Sequence, residues 1–248
     1  MDIEEIKTIR RFSVVILGNF NPAILHPEWL DRNQVLPPTE VRDIAESKEG
    51  EFKDLEGLKV KFISSNVLVS GAETRLSLPS YRILVTPDKF EASTEMKEKF
   101  KELCEFVAET FKILAHTPVK SLGINFISSI KFSKSSTDLM NHYFCAEAKV
   151  MSSVFGDRHL IDSRIRYDYK DSKVTLLLGV NEEKDKIGIN FNYHKDFSEN
   201  EDVVTLIEHL LKSFKPMMLD TDKVIKDLFG EPIEGGIEGE KPVKNNND

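Results

Sequence analysis

The sequence predicts an α+β protein built from two similar units of the order β-α-β(3–4)-α, with an antiparallel sheet packed by two long amphipathic helices. The first observation is a faint internal repeat with a period of about 105 residues. Residues 12–20 (FSVVILGNF) resemble residues 121–127 (SLGINFI), and each segment precedes an apolar hairpin, over 58–78 and 161–180 respectively. The second observation is that an amphipathic helix followed by a proline closes each half. Together these observations indicate an internal duplication.

The first unit opens with the strand at residues 12–20, which leads into a turn rich in asparagine and proline. Pro27 suits the first position of a helix and predicts a helical turn that carries Trp29. Thr39 is a favourable N-cap residue and predicts a short helix to about Ser47. The α segment of the first unit is therefore fragmented.

The next part of the first unit is predicted to be β structure. Residues 48–56 are charged and predict a loop, whereas rough alternation over 58–78 predicts a hairpin with its turn at Ser70. Residues 81–86 alternate more regularly and predict a single strand that ends at Pro87.

A long helix is predicted to open near Ser93 and to end at Pro118. Apolar residues recur there at steps of three and four, which is the spacing of one helix face. These residues are Met96, Phe100, Leu103, Val107, Phe111 and Leu114.

The second unit is predicted to repeat this order. After the strand at 121–127 come a helix over 138–151, the hairpin over 161–180 and a strand over 186–193. The predicted strands at 81–86 and 186–193 are separated by the same period of about 105 residues.

The closing helix of the second unit is predicted to begin at Ser198, which forms a capping box with Glu201. Pro216 is predicted to stop this helix, and a short helix is predicted over 221–229. The two units therefore span residues 1–117 and 118–229. Residues 230–248 have no apolar periodicity and predict a flexible acidic and polar tail.

The composition disfavours several classes of protein. No apolar run is long enough to span a bilayer, and the N-terminus lacks a secretory signal pattern, so we expect no membrane partner and a cytoplasmic location. Cys104 and Cys145 are interpreted as buried thiols of a reducing compartment. The net charge of −8 disfavours non-specific nucleic-acid binding and suits a basic protein partner.

The sequence contains no coherent catalytic signature, so no catalytic residue, metal ligand or cofactor is predicted. His26 opens a half of the zinc deaminase pattern, but the closely spaced cysteines of the other half are missing. Asp88 and Glu147 have the residue types of a metal-dependent nuclease at an unsuitable separation. Cys145 and His142 could form a reactive pair only if the fold brought them into contact.

Two surfaces are candidate binding sites. The connection after the first strand contains the candidate partner-binding residues Asn19, Asn21, His26 and Trp29, with Trp29 as the anchor. The same residues would also suit a loop that is simply pinned across the sheet.

A weaker candidate site, for nucleic acid, is the basic group of Arg158, Arg164 and Arg166. The carboxylates of Asp162 and Asp168 interleave with these arginines, which is also typical of a mixed, solvated strand face.

Over roughly residues 12–214 the predicted element order resembles the TATA-binding-protein-like fold, which also occurs as a tandem duplication. The DNA-binding members of that fold use a basic, apolar-wedged sheet face in the minor groove. Residues 79–90 and 118–130 also resemble uncharacterised, sporadically distributed bacterial proteins, some of which are encoded beside phage-defence or toxin genes. Neither resemblance supplies catalytic residues.

These observations predict a non-enzymatic bacterial protein-interaction subunit, an accessory or neutralising component of a phage-defence or toxin system. One alternative is a small-ligand or nucleotide-binding enzyme with its cleft between the two units. Another alternative is nucleic-acid binding through the sheet. The sequence leaves the oligomeric state open.

Overall fold

A nine-stranded antiparallel sheet is the frame of this protein in the computed structural model. The structure describes residues 3–37, 40, 48–53, 59–64, 67–132, 140, 162–180, 186–198 and 201–230. The predicted helix over 138–151, most of the predicted helix after Thr39, and the tail from residue 231 lie outside the described residues. None of the helices in these ranges is long and apolar enough to cross a membrane.

The described residues form eleven strands and three α-helices. The strands are β1 (Ile3–Gly18), β2 (Lys48–Lys53), β3 (Lys59–Ser64), β4 (Val67–Val69), β5 (Thr74–Ser77), β6 (Arg82–Val85), β7 (Lys89–Thr94), β8 (Val119–Phe132), β9 (Asp162–Tyr169), β10 (Ser172–Val180) and β11 (Lys186–Asp196). The helices are α1 (Pro27–Arg32), α2 (Phe100–Ile113) and α3 (Val203–Phe229). This mixture of a sheet with helices confirms the α+β class.

The order of the strands places β1 and β8 at the centre of the large sheet. From edge to edge the order is β4-β5-β6-β7-β1-β8-β11-β10-β9, and every neighbouring pair is antiparallel. The remaining strands, β2 and β3, form a separate two-stranded sheet.

One face of the large sheet forms the hydrophobic core. Successive side chains of a strand point to opposite faces, so every second residue of a central strand is buried. The ring of Phe12 on β1 lies 5.2 Å from Phe126 on β8, 5.1 Å from Phe100 on α2 and 5.0 Å from Phe214 on α3, measured between ring centroids. Complete burial of such a ring contributes about 1.5–3 kcal/mol. Both long helices therefore contact the same face of β1.

Several predicted elements are confirmed. The hairpin predicted over 161–180 is the pair β9 and β10, and the turn at Ser70 joins β4 to β5. The helical turn begins at Pro27 as predicted. The strand predicted over 186–193 is the core of β11.

The helix predicted to open near Ser93 is wrong at its start, because Ser93 lies in strand β7. Pro87 and Asp88 form a tight hairpin turn in which Thr86 N–H donates to the carbonyl of Lys89 at 2.7 Å. The chain thus returns as a strand, with Phe90 and Ala92 in the core, and α2 begins only at Phe100. The prediction treated this proline-containing turn as the end of the β structure, whereas it joins the paired strands β6 and β7.

This strand also changes the comparison between the two halves. The prediction related 81–86 to 186–193, but β11 borders the central strand β8 whereas β6 does not border β1. The neighbour of β1 on the side away from β8 is β7. In the sheet, therefore, the strand in the position that corresponds to β11 is β7.

Pro216 does not stop the last helix, because α3 continues through it to Phe229. A proline inside a helix removes one backbone hydrogen bond. Contacts with the sheet hold the helix next to this position, since the Tyr169 hydroxyl donates to the Pro216 carbonyl at 3.3 Å. The start was also predicted too early. Ser198 N–H does donate to Glu201 at 2.7 Å, but the N-cap of the helix is Asp202.

The predicted loop over 48–56 is partly wrong, because Lys48–Lys53 form β2. This charged segment has little intrinsic preference for a strand. It is extended because it pairs along its whole length with Lys59–Ser64, a contact between separate segments that its own composition does not indicate.

Candidate functional site

The face of the large sheet opposite the helices carries accessible polar and charged side chains. We call it the open face. Its side chains alternate along each strand with those of the core, so that Ser13 and Val15 of β1 point away from Phe12 and Val14. On the outer strands its arginines, including Arg82 and Arg166, are exposed.

A continuous row of polar side chains crosses the open face on eight adjacent strands. We call it the polar row; in spatial order it consists of Ser77, Arg82, Ser93, Ser13, Asn125, Asn192, Thr175 and Arg166. Each member lies directly opposite the next in the strand register. The row exists only because residues from distant parts of the chain are brought into register.

The centre of the polar row is held by hydrogen bonds. The amide of Asn192 donates to the amide oxygen of Asn125 at 2.5 Å, and the amide of Asn125 donates to the Ser13 hydroxyl at 3.2 Å. Arg11 donates to the Ser93 hydroxyl at 3.2 Å. Two serines at the centre are almost fully buried, with Ser93 2% exposed. The centre is therefore preorganised, with its polar groups oriented by one another.

The cations of the open face outnumber the carboxylates available to them. Glu91 is shared by Arg11, at 3.3 Å, and Lys89, at 3.1 Å. Arg82, Arg164 and Arg166 take part in no ion pair with a described residue. Their guanidinium groups therefore remain free to bind an anionic group.

The open face also contains shallow depressions. One of about 510 Å³ lies over β9, β10 and β11 and is lined by residues that include Arg166, Lys173 and His194. Another of about 360 Å³ lies over the other half of the sheet and is lined by residues that include Arg75 and Arg82. Each depression is bordered by at least two basic side chains.

The candidate partner-binding loop lies on the core side of the sheet, against α2. The Thr74 hydroxyl donates to the Pro22 carbonyl at 2.7 Å, and the ring of Phe20 meets that of Phe111 edge-on at 6.0 Å. The Asn19 backbone N–H donates to the carbonyl of Pro118 at 3.0 Å. These contacts hold the loop in place.

The other candidate residues of that loop have local structural roles. The Asn21 side chain accepts from Ala23 N–H at 3.2 Å and caps a short 3-10 helix. His26 Nδ1 accepts from Trp29 N–H at 3.3 Å and caps α1. The Trp29 ring is half-buried against the core. Binding of a partner by these residues stays a prediction.

Of the three arginines that were candidates for nucleic-acid binding, two lie together on the edge strand β9. Arg164 and Arg166 both point to the open face, where they oppose Leu177 and Thr175 of β10. Arg158 lies outside the described residues, as do Cys145, His142 and Glu147 of the candidate catalytic pairs.

A cluster of tyrosines that the sequence analysis did not identify joins β9 and β11 to α3. The Tyr193 hydroxyl donates to Asp220 at 2.9 Å and lies 2.9 Å from the Thr221 hydroxyl, while the Tyr167 hydroxyl donates to Asp220 at 3.3 Å. Burial and the Asp220 charge raise the pKa of Tyr167 to about 12. The alternation of Tyr167 with arginines was the available signal, but the helix contact required the fold.

A second cluster that the sequence analysis did not identify consists of Lys195, Asp171 and His209, near the end of β11. Lys195 donates to Asp171 at 2.6 Å, and Nδ1 of the buried His209 lies 3.3 Å from the same carboxylate. The hydrogen bond from Lys195 lowers the pKa of Asp171. Burial lowers the pKa of His209, and Lys195 acts in the same direction. Lys195 Nζ also lies 3.4 Å from His209 Nδ1, so the three side chains contact one another. These contacts join α3 to the end of β11 and to the turn between β9 and β10.

The described residues contain no group of three or more histidine, cysteine or acidic side chains arranged to hold a metal ion. Cys104, the cysteine among them, is buried in α2, and this burial raises the pKa of its thiol. No protein-family model matches the chain, and no curated protein matches it either.

Proposed function

We propose that this protein is a non-enzymatic interaction subunit that binds an acidic partner protein on its open face. The observation that carries the proposal is the set of arginines there without a carboxylate partner among the described residues, Arg82, Arg164 and Arg166. Unpaired guanidinium groups arranged around a preorganised polar row suit a surface that is complementary to carboxylates.

The identity of the cations supports a protein interface. The chain contains 25 lysines and 9 arginines, yet the unpaired cations beside the polar row are arginines. Arginine is enriched and lysine is depleted at protein interfaces, because the guanidinium group is weakly hydrated and binds carboxylates through two parallel hydrogen bonds.

The apolar residues of the open face agree with this reading. Val15, Leu84, Ile127 and Leu177 lie half-buried among the polar residues. A protein partner can bury such side chains, whereas single-stranded nucleic acid is usually bound by stacking on aromatic rings. No aromatic side chain lies among the described open-face residues of the strands that carry the polar row.

The proposal revises the partner's expected charge. A net charge of −8 suggested a basic partner. The charge of the open face differs from the net charge of the chain, because few carboxylates among the described residues lie there to pair with its cations. Arg11 and Lys89, for example, pair with the same carboxylate, that of Glu91. Long-range steering by the whole molecule and complementarity at the contact are therefore different effects.

We further propose that the fold arose by an internal duplication and that the partner belongs to a phage-defence or toxin system of the bacterial cytoplasm. The support for duplication is the strand order, in which each central strand, β1 or β8, is followed outward by β7 and β6 or by β11 and β10. Each half also ends in a long helix, α2 or α3, with a partly apolar surface turned to the core.

The test is the capture of a partner from the native host by the tagged full chain, followed by measurement of affinity. The variant Arg82→Glu/Arg164→Glu reverses two unpaired cations of the open face, while Arg32→Glu/Lys223→Glu makes the same charge change on exposed helix positions. We expect one stoichiometric acidic protein, bound at least tenfold more weakly by the open-face variant than by the helix variant.

Two results would overturn the proposal. One is a chain that is repeatedly isolated free, and the other is a partner whose affinity responds equally to both variants. Loss of the captured material after nuclease treatment would instead assign the open face to nucleic acid, with a steep dependence of binding on salt.

A further inference from the structure

The depression over β9, β10 and β11 brings together six polar or charged side chains in two adjacent cross-strand rows. The first row contains Arg166, Thr175 and Asn192 of the polar row, and the second contains Asp168, Lys173 and His194. At about 510 Å³ the depression is within the size range of small-molecule sites.

The donors in this depression are largely unoccupied. Neither Arg166 nor Thr175 has a side-chain hydrogen bond or ion pair with a described residue, although they lie directly opposite each other. Lys173 has only a distant carboxylate, with its Nζ 3.9 Å from Asp196. His194 uses Nε2 for Asp196, at 2.9 Å, so its ring is not counted among the free donors. Three donors on β9 and β10, those of Arg166, Thr175 and Lys173, can therefore turn to a common ligand.

The same arrangement is not repeated over the other half of the sheet. There, Arg11 is paired with Glu91 at 3.3 Å and Arg75 with Glu73 at 2.6 Å, which leaves Arg82 as the lining cation without an ion pair among the described residues. In the depression over β9, β10 and β11, by contrast, Arg166 has no such pair and Lys173 lies 3.9 Å from its carboxylate.

We propose that this depression is a binding site for a phosphomonoester, either a free nucleotide-sized molecule or a phosphorylated side chain. Two cations, Arg166 and Lys173, suit a dianionic group, and the planar guanidinium can bind two of its oxygens at once. Thr175 supplies a hydroxyl to a third oxygen. Asp168 and the free amide oxygen of Asn192 can accept hydrogen bonds from hydroxyl or amino groups on the rest of the ligand.

This site goes beyond the proposed function, because binding of an acidic partner protein does not require a phosphate group. Its essential residues, Arg166 and Thr175, are also different from the arginines reversed in the test of partner binding. A captured partner that depends on Arg82 and Arg164, together with no phosphate binding, would preserve the proposed function and exclude this site.

The experiment is isothermal titration of the full chain with adenosine monophosphate, inorganic phosphate and a phosphoserine peptide, with adenosine and the unphosphorylated peptide as matched controls. We expect at least one phosphorylated ligand to bind while its control does not. Arg166→Gln and Thr175→Val should each weaken that binding, the first by roughly 10- to 100-fold. Arg32→Gln, an exposed arginine of α1, should leave it within about twofold.

The outcomes separate the sources of the phosphate. Binding of the nucleotide alone assigns the site to a free metabolite, and binding of the phosphopeptide alone assigns it to a modified partner; either supports the site. Absence of binding by every phosphorylated ligand at millimolar concentration, or binding that is unchanged in both Arg166→Gln and Thr175→Val, overturns it.

Discussion

The hydroxyl of Tyr193 offers a sharp test of how α3 is held on the sheet. The side chain is 1% exposed, and the hydroxyl contacts both the Asp220 carboxylate and the fully buried Thr221 hydroxyl at 2.9 Å. Tyr193→Phe removes both contacts without a change of shape. A hydrogen bond to a charged group contributes about 1.5–3 kcal/mol, and an unsatisfied buried hydroxyl adds about 1 kcal/mol. We expect the free energy of unfolding to fall by about 2.5–4 kcal/mol.

Tyr81 provides a matched control in the other half of the protein. It is also buried, at 2% exposure, but its hydroxyl donates at 3.2 Å to Glu102, whose side chain is 45% exposed and pairs with Lys99 at 2.7 Å. Solvent and Lys99 can replace the lost contact. Tyr81→Phe should therefore lower the free energy of unfolding by only about 0.5–1 kcal/mol.

The assay is urea unfolding followed by two probes, the fluorescence of Trp29, the single tryptophan, and the far-ultraviolet circular dichroism. Coincident transitions justify a two-state treatment. The loss expected for Tyr193→Phe corresponds to a fall in its Tm of at least about 5 °C. Equal losses in the two variants, or a loss below about 0.5 kcal/mol for Tyr193→Phe, would refute the assignment of this contact to the anchoring of α3.

Three further measurements probe other parts of the structure. Gly18→Ala should destabilise the fold by about 1–3 kcal/mol, because a Cβ there would meet the Pro118 carbonyl and the Phe20 ring. A Cβ at Gly71 meets nothing within 4 Å, so Gly71→Ala should change the stability little. The denaturant midpoints of the two variants test this difference. Burial lowers the pKa of His209, so the unfolded chain binds the proton more tightly, and stability should fall as pH drops below about 6.5. His209→Gln should reduce that slope between about pH 7.5 and 5.5, and an unchanged slope would contradict the reasoning. The raised pKa of the buried Cys104 thiol predicts alkylation, mapped by mass spectrometry, only when the chain unfolds.

The elements that were predictable are those whose signal is local. The alternation of Phe12, Val14 and Ile16 defines a half-buried strand within five residues, and the apolar spacing of α2 defines one helix face. The hairpin turn at Ser70 and the helix start at Pro27 have a similar local origin, because each depends on the conformational preferences of one or two residues.

The elements that were mispredicted are those in which distant contacts override a local signal. Pro216 normally ends a helix, yet Tyr169 contacts the Pro216 carbonyl and Tyr193 contacts Asp220 in the following turn, and these contacts hold α3 on the sheet. Ser93 suggested a helix start, but pairing of β7 with β1 and β6 keeps it in the sheet. In both places the decisive energy comes from residues far away in the chain.

The candidate site shows the same division. Arg164 and Arg166 were singled out with Arg158 as a basic group, and they share a face of β9 because two residues at that separation on a strand point the same way. Nothing in the sequence indicated that Asn125, Asn192 and Ser13 would lie in one row with Arg166. A side chain's face depends on local alternation, whereas its cross-strand neighbours depend on register, and register is a property of two segments together.

The residues alone were therefore sufficient for the α+β class, for the buried face of each clear strand and for the main amphipathic helices, since these follow from periodicities of two and 3.6 residues. The tertiary structure decided the order of the strands, the course of α3 through Pro216 and the composition of the open face. These features arise from hydrogen bonds and packing between segments as distant as Ser13 and Asn125, and short-range preferences carry no information about such pairings.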